Sequence, residues 1–174
     1  MMYVGIDPGV HACGVAVVGG EGKLVAAAYV KEAGDIATTT MLAVREAVGL
    51  PLLAGLVFVG IEFPQVYRGR ARGNADTQDL LELSFVVGRL IECFAWAEFK
   101  PLRVDVQSWK RNMPTDVLEA RLHKPPPMGL SAEEWSRVRM PAKSYRHNVV
   151  DAIALARWLA ALGQHKSLAG VTRV

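Results

Sequence analysis

Cysteine is scarce in this sequence: Cys13 and Cys93 are the two in 174 residues, and neither stands in a C-x-x-C pair. That argues against a disulfide scaffold or a zinc site and fits a reducing compartment, so the cytoplasm is the expected location. Long hydrophobic runs are missing too. The longest uncharged apolar stretch, 47–61, is interrupted by Gly49, Pro51 and Gly55 and falls short of the about 20 residues a membrane span needs. The opening residues lack a basic segment, and Asp7 and Pro8 break the apolar run before a signal-peptide core can form. Neither a Walker A loop, a G-x-S-x-G elbow nor a run of zinc ligands occurs. A strong charge imbalance is absent as well: 20 Lys and Arg against 17 Asp and Glu give a net charge of +3. Such a balance permits a polyanionic partner without requiring one.

What is present is enough apolar residue, 51% of the chain, to build a core, and a length that suits a single domain over 1–174. Residues 2–7, 11–19 and 23–31 are rich in Val, Ala and Tyr and are separated by Asp7-Pro8-Gly9 and Gly19-Gly20-Glu21-Gly22, which reads as a three-stranded antiparallel meander. Ile36, Met41, Val44 and Val48 recur at helical spacing, and 56–61 is an apolar run of strand length ending at Glu62. A long helix is expected over 78–99, opened by Asp76 or Thr77. Leu80, Leu83, Val87, Ile91 and Phe94 form one of its faces, and Leu81, Phe85 and Gly88 another. Residues 102–106 form a fifth strand. Two short helices follow around the prolines at 125–127, the second opened by a Ser131…Glu134 capping box. The closing helix runs over 145–162 with Gly163 as its stop. The expectation is therefore an α/β fold with a mixed five-stranded sheet in βββαβαβ order, flanked by helices.

Three acids sit where a polar residue needs explaining. Asp7 ends the first strand, Glu62 ends the fourth, and Asp151 interrupts the apolar face of the last helix. Each alone reads equally as a cap or turn former. Together they say more, because the first and fourth strands of a βββαβ arrangement lie side by side. Two ionised carboxylates about 4 Å apart repel by about 4 kcal/mol at an effective dielectric near 20, and a divalent cation with oxygen ligands, Mg2+ or Mn2+, relieves that. His147 and Asn148 precede Asp151 by four and three residues, so either can project beside it.

The ordered set Val4-Gly5-Ile6-Asp7-Pro8-Gly9, Gly60-Ile61-Glu62, Asn74-Ala75-Asp76 before a long helix containing Gly88, and Asp151-Ala152-Ile153-Ala154-Leu155-Ala156 resembles the RuvC family of Holliday-junction resolvases over nearly the whole chain. The resemblance implies an RNase H-like fold, a homodimer, Mg2+ or Mn2+ with two ions per active site, and paired nicks across a four-way DNA junction. It assigns metal-holding roles to Asp7, Glu62 and Asp151. The family carries Asp or His three residues before the last acid, where this chain has Asn148. His147, one residue earlier, is the expected fourth ligand because imidazole binds metals better than a carboxamide. Lys110 resembles the family's basic residue near the scissile phosphate, though it also reads as an ordinary surface lysine.

The segment Tyr67-Arg68-Gly69-Arg70-Ala71-Arg72-Gly73 carries no acid and cannot pack a core. Tyr67 matches, approximately, the family's aromatic that stacks on opened junction bases, and Arg68, Arg70 and Arg72 suit phosphate contact; a plain solvated loop is the other reading. Lys143 and Arg146 flank the last acid and complete the expected DNA-binding set. The second face of the 78–99 helix is expected to pair two copies of the chain, unless residues 114–140 cover it. Two further readings stay open: a nuclease of this kind acting on flaps or single strands without junction preference, and a non-catalytic junction-binding protein. Actin-like sugar kinases share the opening turn but need two such domains.

Overall fold

The computed structural model describes residues 1–32, 34–49, 56–63, 77–111, 113–164 and 172–173. One mixed sheet organises them. The meander is β1 (Met2–Pro8), β2 (Ala12–Gly19) and β3 (Leu24–Lys31), antiparallel throughout. The chain then crosses through α1 (Ile36–Val48) to β4 (Val57–Phe63), which lies parallel to β1. A second crossover through α2 (Thr77–Trp96) delivers β5 (Lys100–Asp105), parallel to β4. After α3 (Val106–Trp109), α4 (Thr115–Leu122) and α5 (Ala132–Ser136) come the short strand β6 (Val138–Arg139), a 3-10 turn over Lys143–Tyr145, α6 (Arg146–Gln164) and β7 (Thr172–Arg173). The sheet order is β6-β3-β2-β1-β4-β5-β7. The five expected strands form its centre, and β6 and β7, two residues each, extend its edges. Their brevity left no periodic signal in the sequence.

Alternation along the strands decides which helix meets which face. Val4, Ile6, Val15, Val17, Val57, Val59 and Ile61 point to α1 and α2, where they pack with Val44, Val87, Leu90 and Phe94. Tyr3, Ala16, Leu102 and Val104 point the other way, onto Val149, Ala152, Ile153 and Leu155 of α6. Glycine lets α6 come close. A Cβ at Gly5 would collide with the carbonyl oxygen of Ala152, and one at Gly14 with that of Asn148. The N-terminal half of α6 is therefore pressed onto β1 and β2 at backbone distance.

Helix ends follow side-chain chemistry. Asp35 caps α1, accepting from the Thr38 N–H at 3.1 Å, and Arg89 of α2 reaches the same carboxylate at 3.3 Å. The capping box at α5 forms as expected: Ser131 Oγ accepts from the Glu134 N–H at 3.2 Å, and Glu134 Oε2 from the Ser131 N–H at 2.8 Å. The other oxygen of Glu134 takes the Leu24 N–H at 2.8 Å, which ties α5 to the start of β3.

Helix α2 stops three residues before the expected Phe99. Glu98 adopts φ 63°, its N–H bonds the Ala95 carbonyl, and the Phe99 N–H bonds the Phe94 carbonyl. This is a Schellman ending, and Phe99 completes it by packing edge-on against Phe94 at 5.5 Å. Glycine normally marks that left-handed position; here Glu98 fills it, so the sequence carried no stop signal.

Candidate active site

The strand alternation that sends Gly5 and Gly60 toward α6 sends Asp7 and Glu62 the same way, because each lies two residues further along its strand. The parallel register aligns Gly5 with Gly60 and Ile6 with Ile61, so the two acids fall in one row at the same end of the sheet. Asp151 arrives from α6, in its second turn, and is buried at 6% exposure. The three carboxylates feel one another. Burial, then Glu62 and Asp151, hold the Asp7 carboxyl well above the ordinary carboxylate range. Glu62 is pushed up to about 7 by burial and by the charge of Asp151.

One cation offsets this. Lys110, in the segment leaving β5, sets its ammonium directly on Asp151 Oδ2 and lowers the pKa of both Asp7 and Glu62. Thr115, the first residue of α4, locks the arrangement. Its hydroxyl accepts from Lys110 Nζ at 2.8 Å and donates to Asp151, whose oxygens lie 3.2 and 3.3 Å away. The sequence analysis did not single out Thr115; Pro114 immediately before it announces a helix start but says nothing of its contacts. Trp109 was also missed as part of the site. Its indole N–H is close enough to Glu62 to lower that pKa somewhat, yet it falls outside hydrogen-bond geometry, and among the described residues both Trp109 Nε1 and Glu62 Oε2 are buried without a partner.

The donor set suits a hard divalent cation: carboxylate oxygens, with one buried Glu62 oxygen unpartnered. Among the described residues no three His, Cys, Asp or Glu side chains converge on a single point at ligating distance. Asp151 is held by Lys110 instead, so a cation would compete with the ammonium for this carboxylate.

Four expected residues thus come together: Asp7, Glu62, Asp151 and Lys110. His147 is exposed and lines a neighbouring cleft, whereas Asn148 is half-buried and its Oδ1 is sequestered without a partner among the described residues. Lys143 and Arg146 are exposed at the approach to α6. Tyr67, Arg68, Arg70 and Arg72, and the expected cap Asp76, lie outside the described residues. Along α2, Leu81 and Phe85 are 62% and 71% exposed, and among the described residues nothing lies within 4 Å of a Cβ built on Gly88. The packing of Val86 and Leu90 on the sheet side of this helix was not foreseen. No described helix is long and apolar enough to cross a membrane.

A mixed sheet opening with an antiparallel meander, with acids on its first and fourth strands and a third on the last helix, defines an α/β fold of the RNase H-like class. Within that class the chain has the RuvC fold. It matches the structure of T. thermophilus RuvC in complex with Holliday junction substrate at 15% identity and TM-score 0.63, covering 100% of this chain and 99% of that one. A second structure of Thermus thermophilus RuvC matches at 17% identity and TM-score 0.60 over 100% of both chains. No protein-family model matches the sequence, and no curated protein matches it.

Proposed function

We propose that this protein is a divalent-metal-dependent, structure-selective DNA endonuclease that resolves four-way junctions by paired symmetric nicks, in recombination and repair. The observation that carries the reading is the row of Asp7 and Glu62 with Asp151 above it and Lys110 among them, at one end of a RuvC-like sheet. A similar protein, T. thermophilus RuvC, has been solved with a Holliday junction substrate.

Asp7, Glu62 and Asp151 would hold Mg2+ or Mn2+, two ions per site, with His147 as the proposed fourth ligand. Imidazole is the stronger donor, and Asn148 is the competitor by its inward placement. When bound, the ions supply an activated water and charge stabilisation at the leaving 3′ oxygen, giving 5′-phosphate and 3′-hydroxyl ends. The chain's own groups do the rest. Lys110, whose ammonium rests on Asp151, would donate to a non-bridging phosphate oxygen. Thr115 anchors that ammonium, and the half-buried Trp109 ring lies 5.8 Å from it. Lys143 and Arg146, with Tyr67, Arg68, Arg70 and Arg72, would hold the DNA arms and the opened junction centre.

Paired nicks need two sites on one substrate. The exposed Leu81, Phe85 and Gly88 face of α2 is proposed to pair two copies. The chain does not cover it with α4, which packs on α6 instead.

Cleavage of mobile junction, fixed junction, flap and duplex DNA, compared side by side in Mg2+, tests the reading. Symmetric nicks confined to junctions are expected. Equal cleavage of flaps would replace it with a general structure-selective nuclease, and binding without cleavage of any substrate with a non-catalytic junction binder.

A further inference from the structure

Beside the acids a cleft of about 620 Å3 opens between the β1–β2 turn, the end of β3 and the start of α6. Gly9 at its edge is two residues beyond Asp7, and Asn148 is three before Asp151. The cleft is therefore a continuation of the candidate active site along the sheet end. Tyr29 and Tyr145 form one wall, stacked with ring centroids 5.2 Å apart at 24°. Tyr29 supports one face of Tyr145, a residue that remains 46% exposed, so an aromatic surface is fixed in place before any ligand arrives. Polar groups stand around it. Ser144 contributes a hydroxyl, and the Asn148 carboxamide lines the cleft beside Gly9. Lys31 supplies a cation, and the single acid among the described lining residues, Glu32, lies 3.2 Å from His11 Nδ1.

We propose that this cleft is a subsite for one unpaired nucleobase of the DNA strand, stacked on Tyr145 and met at its edge by Ser144 and Asn148. A prepositioned aromatic face with adjacent donors and acceptors and a nearby cation is the chemistry that binds a base and its phosphate in single-stranded DNA. A rigid tyrosine loses little freedom on stacking, and a serine hydroxyl can donate to or accept from a base edge. The inference deepens the nuclease reading above: it makes cleavage depend on a base leaving its helix next to the scissile phosphate.

The test uses the full-length chain in EDTA, so that binding is read without cleavage, and single-stranded oligonucleotides by fluorescence anisotropy. An abasic residue is walked along the strand, and 2-aminopurine reports stacking at the position it identifies. The wild type is expected to lose at least about fivefold in affinity at one abasic position, the lower end for base–aromatic stacking. Tyr145→Ala should lose as much with intact DNA and nothing further with the abasic strand. Tyr145→Phe should retain wild-type binding, and the salt dependence should be the same for all three because stacking carries no charge. The abasic walk on the wild-type protein keeps the test informative even if Tyr145→Ala folds poorly. A flat abasic walk, unchanged affinity of folded Tyr145→Ala, or additive losses from the variant and the abasic site would each overturn the subsite. If the wild type cleaves junctions while Tyr145→Ala binds normally, only the subsite falls. Tyr145-dependent binding without cleavage of any substrate would leave the subsite standing and remove the nuclease reading.

Discussion

Lys110 and Asp151, 41 residues apart in the chain, form an ion pair whose side chains are only 14% and 8% exposed. The ammonium stands where three carboxylates crowd together, and removing it leaves their repulsion uncompensated. Breaking a buried pair from one side costs about 3–5 kcal/mol, because the remaining charge is stranded. Lys110→Met should therefore lower unfolding free energy by about that amount in urea titrations in EDTA. Asp151→Asn in the same chain should restore most of it. Thr115→Val should cost about 1 kcal/mol, the net worth of a hydrogen bond, and Thr115→Ser much less.

The raised carboxyls make stability fall with pH. Glu62 titrates near 4.5 in the unfolded chain and about 7 in the folded one, so between those values the native state holds more protons than the unfolded state. Unfolding free energy then decreases as pH rises through this window, and the loss is complete above about 7. Asp7, also raised, acts in the same direction. Thermal midpoints measured from pH 4.5 to 7.5 in EDTA should drop, and Glu62→Gln should flatten the drop and be more stable than wild type at neutral pH.

The outer face of α2 predicts a dimer. Light scattering at micromolar concentration should give twice the chain mass. Phe85→Asp or Leu81→Asp should give a folded monomer, since both side chains are already exposed within one chain and such surface changes cost the fold about 0.5 kcal/mol or less. A monomeric wild type would refute the pairing.

Affinity for junction arms should be governed by phosphate contacts, with log K falling against log salt at about −0.9 per phosphate neutralised. Replacing Arg68, Arg70 and Arg72 together by alanine should flatten that slope, whereas Tyr67→Ala should leave it unchanged and reduce cleavage.

Much of this architecture was legible in the sequence because its signals are local. Turn glycines separate β1, β2 and β3, and a run of β-branched residues marks β4. Asp7 and Glu62 stand out as acids at the ends of apolar strands, and their neighbourhood followed from strand order. What stayed hidden depends on tertiary contact. Glu98 ends α2 in a conformation that glycine usually announces, and β6 lies on β3 beside the contacts of Glu134 and Arg137 with Leu24. Thr115 earns its place through Lys110 and Asp151, neither of which is near enough in sequence to imply it. Asn148 and His147 differ by one residue, and only the close approach of α6 to Gly14 turns the first inward and leaves the second exposed.

The central claim is that Asp7, Glu62 and Asp151 together hold the ions that cleave DNA, and it is tested most directly at Asp7. Cleavage and binding of a four-way junction should be measured for wild type and Asp7→Asn, with cleavage in Mg2+ and binding in EDTA. The account predicts paired nicks by the wild type, none by Asp7→Asn, and nearly equal junction affinity for the two. Cleavage by Asp7→Asn at the wild-type rate would contradict it.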